Sequence, residues 1–174
     1  SDHVDAKRGN ELKVIICTTL YPVSGRGQAS ALPWAIRDLV EAASDKGLNC
    51  GGVLRLMPII SRRGLFRPRV RDVNGVKVFD CPRYGVRRWF STRLTRRVLE
   101  KIGFLRQGGE HTRMVCHTAM DFYYAHQVVK QDTDWVYIIH ASDFKHKKEL
   151  LYSLEHSSKV LARSPALARK VEER

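Results

Sequence analysis

Apolar residues along the chain fall into two spacings. Short runs at residues 13–18 (KVIICT), 50–56, 76–80, 113–117, 135–140 (WVYIIH) and 159–162 have the length and bounding turn signals of strands buried on both faces. Between them lie stretches with helical spacing. Residues 30–43 put Trp34, Ile36, Leu39, Val40 and Ala43 on one face, with Ser30 as N-cap and Pro33 in the first turn. Residues 89–106 put Phe90, Leu94, Val98, Ile102 and Leu105 on one stripe, ended by Gly108-Gly109. Further helices are predicted at 121–130, at 147–155 and from Pro165 onward. Residues 21–28 (YPVSGRGQ) read as a loop and 58–72 as a long basic connection, with Asn74-Gly75 introducing the third strand.

Strands alternating with helices imply right-handed crossovers and a mostly parallel sheet covered on both faces. The expected fold is therefore α/β, a Rossmann-like three-layer sandwich over residues 13–174, behind a polar tail at 1–12. Ligands in such sheets sit beyond the carboxyl ends of the strands. That rule singles out residues 18–28, 55–57, 81–83, 117–120 and 140–143.

Charge changes the picture. Lys and Arg number 31 against 18 Asp and Glu, a formal net charge of +13. Residues 1–54 are balanced and residues 107–174 carry one excess positive charge, so residues 55–106 hold +12. Such a surplus selects an anionic partner and says nothing of fold. At 43% hydrophobic and 28% charged residues, the composition excludes disorder, and the length excludes a disulfide-stapled miniprotein. Cys17, Cys50, Cys81 and Cys116 contain no CxxC pair and read as reduced core residues of a cytosolic protein, so no metal is expected. No apolar run approaches the roughly 18 residues of a membrane span, which leaves peripheral contact only.

Three motifs carry chemistry. Gly25-Arg26-Gly27-Gln28-Ala29-Ser30 fits G-x-G-x-x-small between a strand and a helix, a form in which backbone N–H groups approach a phosphate. It follows its strand by six residues, and Arg55 stands where a dinucleotide site would place an acid. An NADP-dependent oxidoreductase domain is therefore an alternative reading only. Arg87, Arg88, Arg93, Arg96, Arg97 and Lys101, with Trp89, decorate the helix predicted at 89–106 and suit an anionic headgroup layer. A basic nucleic-acid-binding α/β domain is the second alternative, although no nucleic-acid motif accompanies the charge, so nucleic acid is not the expected partner. Finally, His117 and His140 end strands on the ligand side, and Asp143 follows in His140-Ala141-Ser142-Asp143, a pairing suited to hydroxyl binding or proton transfer.

In order and spacing these segments resemble the N-terminal domain of family-four retaining glycosyltransferases, one half of a GT-B fold. The similar stretches are Tyr21-Pro22 with Gly25-Arg26-Gly27, Asn74 to Val78 leading to Pro82, Val115-Cys116-His117, 135–143 and 157–164. The glycines are separated by Arg26 where the family often has an adjacent pair, and His111-Thr112-Arg113 stands where it often has Asp. The resemblance implies an acceptor-binding domain of a membrane-associated enzyme that moves a sugar from a nucleotide-sugar donor to a lipid-linked or saccharide acceptor. It places Gly25, Arg26, Gly27 and Gln28 toward the donor diphosphate. It places His140 and Asp143 at the reaction centre, His117, Thr118 and Ser164 on the acceptor side, and the basic helix on the cytoplasmic face of a membrane. No cofactor is implied. The family's second domain, which carries the donor site, would begin about where this chain stops, so the chain alone is expected not to turn over.

Overall fold

The valine, isoleucine and cysteine runs become strands because β-branched and compact side chains pack well on a pleated surface covered on both sides. The computed structural model describes residues 12–19, 21, 31–47, 50–61, 64–86, 89–104, 112–129 and 133–173. β1 (Lys13–Cys17) leads to α1 (Ala31–Asp45) and β2 (Cys50–Pro58). A hairpin of β3 (Ile60–Ser61) and β4 (Gly64–Leu65) precedes β5 (Arg69–Val73) and β6 (Val76–Arg83). A second hairpin, β7 (Gly85–Val86) with β8 (Trp89–Phe90), precedes α2 (Thr92–Lys101). The chain continues through β9 (Thr112–Cys116), α3 (Ala119–Val128), β10 (Asp134–Ile139) and a 3-10 turn (Ala141–Lys145). It closes with α4 (Lys147–His156), β11 (Lys159–Ala162) and α5 (Pro165–Glu172).

One seven-stranded sheet has the order β11-β10-β9-β1-β2-β6-β5. Every pair is parallel except β5 with β6. From β1 the sheet first grows through β2 and β6, then reverses and grows through β9, β10 and β11. This is the doubly wound Rossmann-like order, with its switch point between β1 and β9. The larger core lies under α2, α3 and α4, where Ile15, Leu54, Phe79, Met114 and Tyr137 of the sheet meet Leu99, Phe122 and Leu150. The smaller core joins Val53 and Val78 to Ile36 and Val40 of α1. Each fully buried large apolar side chain contributes about 1.5–3 kcal/mol.

Three predicted elements differ. The 58–72 connection is not a loop. It contains the β3–β4 hairpin and the edge strand β5, paired to β6 through Asn74 and Gly75. Both central turn residues have positive φ, 52° and 80°, which is why Asn-Gly closes a two-residue hairpin rather than merely opening a strand. The helix predicted at 89–106 begins at Thr92, because Trp89 and Phe90 pair with Val86 and Gly85 as β8. Ser91 caps the helix, its Oγ accepting from Leu94 N at 3.3 Å. The buried face of α2 is Thr95 and Leu99, while Leu94 is exposed. Leu39, predicted on the buried face of α1, is 70% exposed, because Ile36 and Val40 take the sheet side.

A buried ion cluster fixes β5. The Asp80 carboxylate on β6 is fully buried and accepts from Arg55 Nη1 at 3.2 Å, Arg69 Nε at 3.2 Å and Arg71 Nη2 at 2.5 Å. Arg55 comes from β2 and the other two from β5, so one acid crosslinks three strands. Breaking a buried pair strands its partners in a medium where charge is costly. Asp80→Ala is therefore expected to lower unfolding free energy by about 3–5 kcal/mol in urea titrations. A loss below about 1 kcal/mol, the range of surface ion pairs, would contradict this account.

Candidate functional site

Five strand ends meet around the switch point. Thr18 and Thr19 follow β1, Arg83 ends β6, His117 and Thr118 follow β9, His140 follows β10, and Arg163 and Ser164 follow β11. The His117 N–H donates to the Cys17 carbonyl at 3.2 Å, which extends the β1–β9 ladder by one residue and points the next residues toward the crevice.

The structure brings His117 and His140 together, with ring centroids 6.2 Å apart. His117 is driven down to about 4, first by burial and then by His140 and Arg163. Burial also lowers His140, against the pull of Asp143. Both imidazoles are therefore neutral at pH 7, each with one donor and one acceptor nitrogen. Among the described residues His140 Nε2 is buried and has no hydrogen-bond partner. Such an atom is suited to a ligand hydroxyl.

Asp143 is hydrogen-bonded within the protein. Its Oδ2 accepts from the Tyr137 hydroxyl at 2.6 Å and from the His140 backbone N–H at 2.9 Å. Burial and Asp143 in turn raise the Tyr137 phenol above its ordinary value, keeping it a donor. The carboxylate thus orients the turn that carries His140. Ser164 is likewise engaged as the N-cap of α5, its Oγ accepting from Leu167 N at 3.2 Å. Thr118 caps α3, where its Oγ1 accepts from Asp121 N at 3.1 Å and donates to Asp121 Oδ2 at 2.8 Å.

That last bond leads to Asp121, which the sequence reading missed, and to Arg83, which it placed at a strand end without giving it a role. Beside the switch point lies a cleft of about 230 Å³ lined by Thr19, Met57, Pro58, Arg83, Asp121 and Tyr124, among others. The Asp121 carboxyl is raised to about 7, chiefly by burial, against hydrogen bonds from Thr118 and the Thr19 N–H and the charge of Arg83. Across the cleft the Arg83 guanidinium stacks on the Tyr124 ring at 3.9 Å, and its buried Nε has no partner among the described residues. The cleft therefore offers an arginine for an anion and a carboxyl for a hydroxyl, with Tyr124 as an apolar wall. A sequence signal for Asp121 exists, since Thr118-x-x-Asp121 after an apolar strand is a capping-box pattern.

Several expected site residues fall elsewhere. Gly25, Arg26, Gly27 and Gln28, and Arg87 and Arg88, lie outside the described residues. Trp89 is 81% exposed on β8, not on the basic helix. Arg93, Arg97 and Lys101 of α2 are exposed, and Arg96 sits 3.6 Å from Glu100. Arg55, which an NADP reading would turn toward a ribose phosphate, is buried and bound to Asp80. Among the described residues no cluster of three or more His, Cys, Asp and Glu is placed to hold a metal ion.

No family model matches the sequence, and no curated protein matches it. Solved structures do. A structure of sucrose-phosphate synthase from Thermosynechococcus elongatus superposes with a TM-score of 0.59 at 12% identity, over 94% of this chain and 45% of that one. A second, shorter structure of the same enzyme gives 0.52 at 12% identity, over 90% of this chain and 78% of that one. The chain therefore shares with that enzyme a Rossmann-like α/β fold with a mostly parallel sheet. It spans about half of the longer relative.

The titrations of the site oppose each other. Asp121 holds its proton in the folded chain up to about pH 7, whereas the unfolded carboxyl ionises near 3.8. Its contribution therefore falls as pH rises through that interval, by up to about 4 kcal/mol. His117 stays neutral down to about 4 when folded, so its contribution is lost as pH falls from 6.5 toward 4. Asp121→Asn should accordingly gain stability relative to wild type between pH 4.5 and 7.5, and His117→Gln between pH 6.5 and 4.5. Urea denaturation at the three pH values reads both, and pH-independent differences would refute the assignments.

Proposed function

We propose that this chain is the acceptor-side, N-terminal domain of a family-four-like glycosyltransferase. It would move a sugar from a nucleotide-sugar donor to a lipid-linked or saccharide acceptor. The observation that carries the reading is the pairing of two features at one switch point. One is the neutral His117–His140 pair with an open, buried Nε2; the other is the cleft holding Arg83 and Asp121. Ligands of parallel α/β sheets bind beyond the carboxyl ends of the strands, and the residues at this end suit hydroxyl and anion binding.

In this reading His140 Nε2 orients a hydroxyl of the sugar or acceptor at the reaction centre, held by Asp143 through the His140 backbone. Arg83 takes an anionic group of the acceptor, and Asp121 accepts or donates at an acceptor hydroxyl according to pH. The glycine motif at 25–28 is the segment whose sequence suits the donor diphosphate. Catalysis is then mostly positioning and charge stabilisation in a site that excludes water. The donor is held largely by a partner domain, so turnover belongs to the full-length protein. The basic third of the chain keeps the domain at a membrane that carries the acceptor.

Two variants test this in the full-length enzyme. His140→Ala is expected to reduce transfer at least about 100-fold with little change in donor affinity. Arg83→Met is expected to raise the acceptor KM while leaving kcat within about threefold, the pattern of lost ground-state binding. Unchanged transfer in His140→Ala would overturn the assignment of the reaction centre.

A further inference from the structure

The parallel strands β2 and β6 end side by side, Pro58 beside Arg83. Two residues beyond each end a hairpin begins, β3–β4 at Ile60 and β7–β8 at Gly85. Neighbouring strands are about 4.8 Å apart, so both hairpins leave the same stretch of the sheet's carboxyl edge. Each is closed at its base by a backbone bond of 2.8 Å, Phe66 N to Ile59 O and Ser91 N to Tyr84 O.

Each hairpin is rooted by one aromatic and bares other apolar side chains. The Arg55 guanidinium lies 5.6 Å from the Phe66 ring, and Phe90 packs edge-on against Tyr124 at 4.9 Å. Outward, the cross-strand partners Ile60 and Leu65 are 76% and 64% exposed, and Trp89 is 81% exposed. Gly85 makes the second hairpin possible. Its φ is +129°, and a Cβ there would stand 1.8 Å from the Trp89 carbonyl oxygen.

These apolar positions sit within the segment that carries +12. In sequence two arginines separate the strands of each hairpin, and Arg67 and Arg69 are exposed beside them. A polyphosphate would match the charge but not Ile60, Leu65 and Trp89; an apolar protein groove would match the side chains but not the charge. An anionic bilayer, with headgroups over hydrocarbon, matches both, and tryptophan favours that boundary. α2 matches it less well, because Leu99 is buried, Val98 packs against the core, and Leu94, at 43%, is its one exposed large apolar side chain.

We propose that the two hairpins, rather than α2, enter the headgroup layer of an anionic bilayer, with Ile60, Leu65 and Trp89 below the phosphates. The inference rests on the membrane part of the functional reading, not on its transfer chemistry. It also gives the cleft an orientation. Met57, Pro58 and Arg83, which line it, are the residues from which the hairpins spring, so an acceptor anchored in the bilayer would present its headgroup at the cleft mouth.

The test is co-sedimentation of the chain with phosphatidylcholine vesicles with and without phosphatidylglycerol. Wild type is expected to bind the anionic vesicles only. A variant with Ile60→Glu, Leu65→Glu and Trp89→Glu is expected to lose binding at least about tenfold. A helix variant, Arg93→Glu with Arg97→Glu, should keep most of it, both variants retaining the wild-type thermal midpoint. Brominated lipid should quench the tryptophan fluorescence of wild type, and Trp89→Phe should bind while losing that quenching. Loss in the helix variant with full binding by the hairpin variant would overturn the proposal and leave the membrane reading intact. Absence of wild-type vesicle binding, or binding to an RNA homopolymer instead, would overturn both and leave the acceptor cleft to be judged by its own variants.

Discussion

The Asp80 carboxylate, buried on β6 and shared by three arginines, is the contact on which the basic third of the chain depends. A parallel pair such as β2 and β6 is usually joined by a crossover helix that covers the sheet. Here the connection between them is instead a small hairpin and an antiparallel strand, rich in guanidinium groups that repel one another. Gathering Arg55, Arg69 and Arg71 around one acid turns that repulsion into a strand lock. Desolvation of the carboxylate is offset because charge-assisted donors reach it from two neighbouring strands. With β5 held, the sheet edge is fixed, and the ends of β2 and β6 become a firm base for what projects from them.

The alternation of apolar runs and helical periods carried most of the architecture. Six strands fall within a few residues of their expected positions, and the β11 strand at 159–162 has the expected bounds. What the periodicity hid was local β structure in a charged segment. Arg69-Val70-Arg71-Asp72-Val73 has strand alternation, but its arginines reach a buried acid on another strand, a tertiary fact that no local pattern contains. The same limit moved the start of α2. Trp89 and Phe90 have a helical spacing to Leu94, yet Gly85 lets the chain double back and pair with them, so the cap falls at Ser91.

The candidate site was legible as a place in the fold more than as a set of roles. Strand-end placement pointed to His117, Thr118 and His140, which do lie at the carboxyl ends of β9 and β10, because the rule relating ligands to carboxyl ends follows from topology alone. It gave Asp143 a chemical role by proximity in sequence, whereas the fold turns that carboxylate inward to Tyr137. Asp121 and Arg83 stand 38 positions apart and meet only because β6 and α3 converge at one cleft. Desolvation then sets the chemistry there. It keeps two imidazoles neutral and brings one carboxyl to its titration point near neutrality, with Arg83 as the cation that lines the cleft.

The outer margin of β5 has one more effect. An uncovered strand margin is a template on which another chain can zip its own backbone. On β5 that margin carries Arg69, Arg71 and Asp72 beside two valines, and at the far side of the sheet β11 is only four residues long and starts at Lys159. A second copy approaching β5 edge-on would have to set like-charged guanidinium groups against each other before a single backbone bond formed. The sheet therefore ends where it does by electrostatic refusal. A strongly basic protein is in this way kept from polymerising along its own β-structure.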